Sequence, residues 1–159
     1  MNNVEIDWEA SFLYGRARAG VLHRDIDLGY VAKRCLGRLV YLASPYSKMC
    51  LENGEWDNVL SLSLGFEAAK WVAELSLRGV TAISPISQAS MMVSAKGCGQ
   101  IDPLGVSFWE GWCRPLLHAC EAVIVPPIEG WDESVGVWLE VQAALDADCP
   151  VFLLREGVE

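Results

Sequence analysis

Several large functional classes are excluded by what this sequence does without. No apolar run approaches the roughly 18 residues needed to cross a bilayer. The start, MNNVEIDWEASF, has neither the basic end nor the apolar stretch of a signal peptide. A cytoplasmic protein with no membrane partner is therefore expected. Positive charge is scarce: 12 Lys and Arg stand against 21 Asp and Glu, a net charge of −9, and the basic residues are scattered. That disfavours long nucleic acid, whose phosphates need clustered cations. It leaves room for one small phosphate held by backbone amides and hydroxyls. His is limited to His23 and His118, neither of them after a strand, so a Ser/His/Asp triad has no base. The six cysteines, Cys35, Cys50, Cys98, Cys113, Cys120 and Cys149, form no CxxC pair and have no His at ligand spacing. They read as free, mostly buried thiols rather than a zinc site or a disulfide framework. GxGxxG and GxxxxGK[ST] are both missing, so the dinucleotide and P-loop fingerprints are too. No cofactor and no metal are implied.

What is present is hydrophobic substance: 52% of 159 residues, with seven Trp, enough for one domain with a proper core. Four short apolar runs read as strands: Arg38–Ala43, Val80–Ile83, Ala122–Val125 and Val151–Leu154. Between them, Asn58 to Arg78 shows helical spacing closed by Gly79, and Ser107 to Ala119 reads as a helix that Pro115 interrupts or marks as a break. The stretch KMCLENGEW reads as loop, and Ser87 to Val106 as a weakly patterned excursion, a lid or substrate-facing loop. Strand and helix alternate with crossovers long enough for parallel pairing. The fold class is therefore α/β, a single-domain parallel sheet with helices on both faces, in the flavodoxin/Rossmann manner. Residues 1–37 hold two possible short helices and read as an N-terminal extension packed on the domain, 38–159, or on a partner subunit.

The most informative stretch is Gly130 to Leu154, a turn, a helix and a buried strand. Asp132 or Ser134 caps the helix, and Val137, Trp138, Val141, Ala144 and Leu145 form its apolar stripe. Glu140 lies at the edge of that stripe, one turn after Gly136. Helical side chains lean back over the preceding turn, so Glu140 spans space that a larger residue at 136 would fill. A carboxylate beside such a gap suits a ligand; a solvated place on the helix flank is the plainer alternative. Three strand ends bring polar groups to one edge: Tyr41 with Ser44, Pro45, Tyr46 and Ser47; Ser84 in SPIS; and Ser134 in EGWDESVG. In open α/β sheets that edge collects ligands. The largest polar pocket is expected to be lined by Tyr41, Ser44, Tyr46, Ser84, Ser134 and Glu140. Plain strand-ending turns and a core tyrosine would give the same letters.

Taken together, VYLASPYS, SPIS, FWEGW and GWDESVGVWLEVQAAL…CPVFL resemble the nucleoside 2-deoxyribosyltransferase-like superfamily. More narrowly they resemble a bacterial branch of it, a domain of unknown function with YLASPYS and GW-x-x-S-x-GV-x-x-E as hallmarks. The resemblance covers about residues 38–154. It implies an N-glycosidase or 2-deoxyribosyltransferase that acts on a small nucleoside or nucleotide, homo-oligomeric, with Glu140 as the nucleophile and Tyr41 holding its carboxylate. It further implies that Ser134 contacts sugar or phosphate and that Gly136 lets substrate approach. Ser44, Pro45, Tyr46 and Ser47 would line the sugar and 5′-phosphate pocket. Where the superfamily tends to carry an Asp that handles the leaving base, Cys113 stands; Glu110, one turn earlier, is the candidate replacement. Two other readings accompany this one: a non-catalytic nucleotide-binding or sensing module of the same fold, and a glycohydrolase of NAD-type nucleotides.

Overall fold

The computed structural model describes residues 4–97 and 99–155, so Cys98 lies outside the described residues. Five parallel strands form the central sheet: β1 (Leu22–Ile26), β2 (Leu39–Leu42), β5 (Thr81–Ile83), β6 (Ala122–Val125) and β7 (Val151–Leu154), in the order β1-β7-β6-β2-β5. The two-stranded hairpin of β3 (Leu51–Glu52) and β4 (Glu55–Trp56) stands apart from it. Six helices complete the fold: α1 (Ser11–Arg18), α2 (Leu28–Cys35), α3 (Asn58–Ser76), α4 (Pro85–Lys96), α5 (Val106–Ala119) and α6 (Val135–Asp146). This is the single-domain α/β arrangement expected from the alternating pattern.

Strand side chains alternate between the two faces, and each face has its own core. Tyr41, Ala43, Val123, Val125, Val151 and Leu153 pack with Leu13 of α1 and with Val137, Trp138, Val141 and Leu145 of α6. Val40, Leu42, Ala122, Ile124, Phe152 and Leu154 pack with Leu28 and Val31 of α2 and with Ala68 and Leu75 of α3. A strand apolar at every position is what a sheet covered on both sides requires.

Three segments depart from the sequence reading. The first is the N-terminal region, which is woven into the sheet rather than only packed on it: β1 pairs with β7 along Leu22–Val151 and His23–Phe152. Its composition, LHRDI, hides it, because an edge strand keeps charged residues. Asp25 takes a positive φ of 54° where the register slips, and Arg155 holds its carboxylate at 2.9 Å. Upstream, Trp8 packs against both Trp131 and Trp138 at 4.9 Å and donates its ring N–H to the carbonyl of Asp132.

The second departure lies in KMCLENGEW, which is a hairpin and not a plain loop. Asn53 and Gly54 both have positive φ, 52° and 84°, as a tight two-residue turn between antiparallel strands demands. The third is α4, which replaces the first half of the expected excursion. Ser84 is its N-cap, Pro85 opens the first turn, and Gly97 ends it with a φ of 79°. Its residues are small because it lies tight on α3: a Cβ at Gly65 would stand 2.1 Å from Ser90 Oγ. Small residues in place of a Leu/Val stripe made the helix illegible. Finally, α5 continues through Pro115, although Pro cannot donate the bond that would close on the Gly111 carbonyl.

Candidate functional site

The order of the strands places the site. After β2 the chain moves outward to β5, and after β6 it moves the other way to β7, so the topological switch point falls at the carboxyl ends of β2 and β6. Such a switch point is where open α/β sheets take ligands. Tyr41 on β2 is fully buried, and its hydroxyl donates to Glu140 Oε1 at 2.5 Å. The two residues are 99 positions apart. β2 brings the tyrosine and α6 the glutamate, and α6 is aimed by the Ser134 cap, whose Oγ accepts from the Val137 amide at 3.3 Å. Ser134, rather than Asp132, is thus the cap.

Burial sets the electrostatics of the pair. Removal from water pushes the Glu140 carboxyl up to about 7, with the Tyr41 hydrogen bond pulling part of the way back. The Tyr41 phenol is held far above its ordinary range, first by burial and then by the Glu140 charge, so it stays a proton donor. Cys113 on α5 is the third member. Its thiol is pushed up to about 11, first by burial and then by the Glu140 charge, with Tyr41 acting the other way, so it neighbours both. Glu110 is exposed and bonds to neither Tyr41 nor Glu140. Cys113, not Glu110, is therefore the α5 side chain that meets the pair.

The polar residues of the strand-end loops separate into two kinds. Ser44, which follows β2 with Pro45 also buried, is 7% exposed, and its Oγ has no hydrogen-bond partner. Asn58 opens α3 at the same edge, and its Oδ1 is likewise buried without a partner. A buried polar atom left unpaired costs about 1–3 kcal/mol, which a ligand could recover. Asn58 escaped the sequence reading; its position at the start of the helix after β2 was the available signal. Tyr46 and Ser84 belong to the other kind. The Tyr46 hydroxyl bonds to Ser61 Oγ at 2.8 Å and accepts from the Trp56 ring N–H at 3.0 Å, tying the hairpin to α3. Ser84 caps α4 and contacts Ser87. Their hydroxyls are engaged in packing. Ser47 is exposed.

Gly136 is not required by the chain itself. A Cβ there would meet only Ser134 Oγ, at 3.8 Å, and its backbone is ordinary helix. The space above it stays open. Two cavities lie elsewhere. A cavity of about 520 Å³ lies between the N-terminal segment, with Trp8, and Lys48, Asp132, Glu133 and Val135; a second, of about 270 Å³, lies at the opposite edge of the sheet. Neither of these two includes any of the six expected residues; Tyr41 is enclosed, and Tyr46 and Ser84 are absorbed into packing. The larger one adjoins the site through the chain neighbours of Ser47 and Ser134.

Among the described residues, no group of three His, Cys, Asp or Glu side chains is placed to hold a metal ion, and no helix is long and apolar enough to cross a membrane. No curated protein and no solved structure matches the chain. A family model does, from the start of β2 through β7: over residues 38–156 the chain matches, and so belongs to, the family described as Domain of unknown function (DUF1937).

Proposed function

We propose that this chain is a nucleoside or nucleotide N-glycosidase or 2-deoxyribosyltransferase of the nucleoside 2-deoxyribosyltransferase-like kind, with Glu140 as nucleophile at C1′. The observation that carries the reading is the Tyr41–Glu140 hydrogen bond of 2.5 Å at the β2/β6 switch point. One carboxylate oxygen is held and the other takes no bond from the described residues. An oxygen of ionised Glu140 attacks C1′, the C1′–N bond breaks, and its electron pair leaves on the base, which takes a proton from water. Water then adds at C1′, the sugar–Glu140 ester bond breaks, and the proton released neutralises the hydroxide left by the first step. A second base in place of water completes a transfer. Ser44, Ser47, Asn58 and Ser134 hold sugar hydroxyls or phosphate, and Gly136 allows the sugar to approach α6. Homo-oligomerisation belongs to the same reading; the exposed Val106 and Phe108 of α5, the helix that carries Cys113, support it.

One observation favours a second reading, a nucleotide-sensing module without turnover: the neutral thiol of Cys113 stands where a carboxylic acid would assist the departing base, and Glu110 is exposed. One experiment separates the two. The protein is incubated with nucleosides, nucleotides and NAD, and free base is measured by chromatography across pH. Base release should rise with pH through about 7 as Glu140 ionises, and should fall on the order of 10⁴-fold in Glu140→Gln. A 2′-fluoro substrate should leave a mass adduct on the peptide containing Glu140. An active Glu140→Gln variant, or an adduct elsewhere, refutes the nucleophile; binding without any turnover supports the sensing module.

A further inference from the structure

The smaller cavity, about 270 Å³, lies at the amino edge of the sheet, on the far side from Ser44 and Glu140. Its wall carries three cations, Lys33, Arg34 and Arg38, with the buried Cys35 thiol and Phe152, and no acidic residue. In a chain of net charge −9 with only 12 basic residues, this concentration stands out against the rest of the surface. Among the described residues Lys33 and Arg34 make no ion pair, and Arg38 meets only Glu121, at 3.9 Å between half-exposed side chains. Lys33 and Arg34 lie in the last turn of α2, where positive charge suits the helix dipole. That accounts for two of the charges, while Glu121 offsets Arg38 only through a long contact between half-exposed side chains.

A second, independent observation lies alongside. His23 on β1 stacks flat on Phe152, one of the cavity walls, with ring centroids 4.7 Å apart. Its Nε2 is buried and has no hydrogen-bond partner. Burial holds this imidazole below its ordinary protonation range, against a backbone hydrogen bond with Gly20 and with a smaller contribution from the Arg34 charge. Three cations facing one hollow repel one another, and His23 adjoins that hollow through Phe152. A bound anion relieves the repulsion.

We propose that this cavity binds a compact, multiply charged anion, the phosphate or pyrophosphate group of a small molecule, through Lys33, Arg34 and Arg38. Its volume falls just below the roughly 300–1,000 Å³ of pockets for drug-sized ligands, which suits a small group rather than an extended one. Guanidinium pairs fork onto phosphate oxygens, and a third cation completes the charge balance. The overall charge of −9 repels a long polyanion, so a small molecule is favoured over a nucleic-acid backbone. The site does not rest on the glycosidase reading, since it shares no residue with it.

Calorimetric titration of the whole chain with inorganic pyrophosphate, ionic strength held constant with potassium chloride, tests this. Saturable one-to-one binding is expected. Arg34→Ala/Arg38→Ala should weaken it about tenfold or more, the scale of lost charge-assisted bonds, while Lys70→Ala on α3 should leave it unchanged. All the replaced side chains are exposed, and the milder Lys33→Gln, expected to weaken binding several-fold, repeats the test should the double variant fail to fold. The location is read independently by proton NMR, in which the His23 imidazole signals should move on binding and those of His118 should not. No saturable binding of pyrophosphate, unchanged affinity in the arginine variant, or movement of His118 alone overturns the proposal.

Discussion

Two polar networks flank β2, and they differ in how their hydrogen-bonding capacity is used. On the α3–α4 side, Tyr46, Ser61, Trp56, Ser84, Ser87 and the Gly65 carbonyl bond to one another through short, local contacts. On the α5–α6 side, Tyr41 reaches Glu140 across 99 residues of sequence, a carboxyl is held in an apolar core, and the adjoining Ser44 has a buried oxygen with no partner. Both regions are rich in hydroxyls and both are buried. A closed network is fully explained by the fold it holds together; an open one still needs something from outside. By that measure the first region is scaffold and the second is site.

The two glycines sharpen the contrast most. Gly65→Val forces side-chain atoms into Ser90, whose Oγ already stands 2.1 Å from where a Cβ would be. We expect a loss of about 3 kcal/mol, because overpacking two touching helices displaces backbone; it is read from the midpoint of urea unfolding. Gly136→Ala should cost nothing and gain a few tenths of a kcal/mol from helix propensity, while impairing base release. Equal destabilisation by both replacements would break the comparison.

The next effect is a pH dependence of stability. Folding raises the Glu140 carboxyl from 4.5 to about 7, so between these values the folded state binds more protons than the unfolded one. Stability contributed by the protonated form is full below about 4.5 and is lost as pH rises toward 7, at no more than about 1.4 kcal/mol per pH unit. Glu140→Gln should therefore match the parent protein at low pH and exceed it in denaturant midpoint at pH 8. A variant less stable than the parent at pH 8 would mean that the carboxylate is part of the scaffold after all.

The smallest effect is expected from Tyr46→Phe. It strands the Ser61 hydroxyl and the Trp56 ring N–H, at a cost of about 1–2 kcal/mol. Base release should not change. A large kinetic defect with intact stability would move Tyr46 from scaffold to site.

Strands β2, β5, β6 and β7 were legible because each is a short, largely apolar run, and α6 because a complete Leu/Val/Trp stripe follows a Ser cap. Glu140 could be picked out by its place beside Gly136 at the edge of that stripe, and the Tyr41 bond ties it to β2 at the switch point. What stayed hidden has physical reasons. The Ser84–Pro85 start of α4 spells a turn as readily as a helix cap, and the Ala and Ser residues that let α4 approach Gly65 erase the apolar periodicity. Asn53–Gly54 is a strong hairpin signal, but strands of two residues carry no alternation to confirm it. Sequence spacing alone does not say whether a hydroxyl is already engaged, so Tyr46 and Ser84 looked like Ser44.

The placement of β1 also sets a timetable. Its neighbour is β7, the last strand along the chain, and the Asp25–Arg155 pair that finishes this edge joins residues 130 positions apart. On a ribosome adding about 5–20 residues per second, β1 waits on the order of ten seconds for β7, its one partner among the described residues. During that wait Trp8 and Phe12 have no Trp131 or Trp138 to cover them. β1 is thus made well before the strand it pairs with, and the growing chain must stay soluble with that edge of the sheet unfinished until β7 is synthesised.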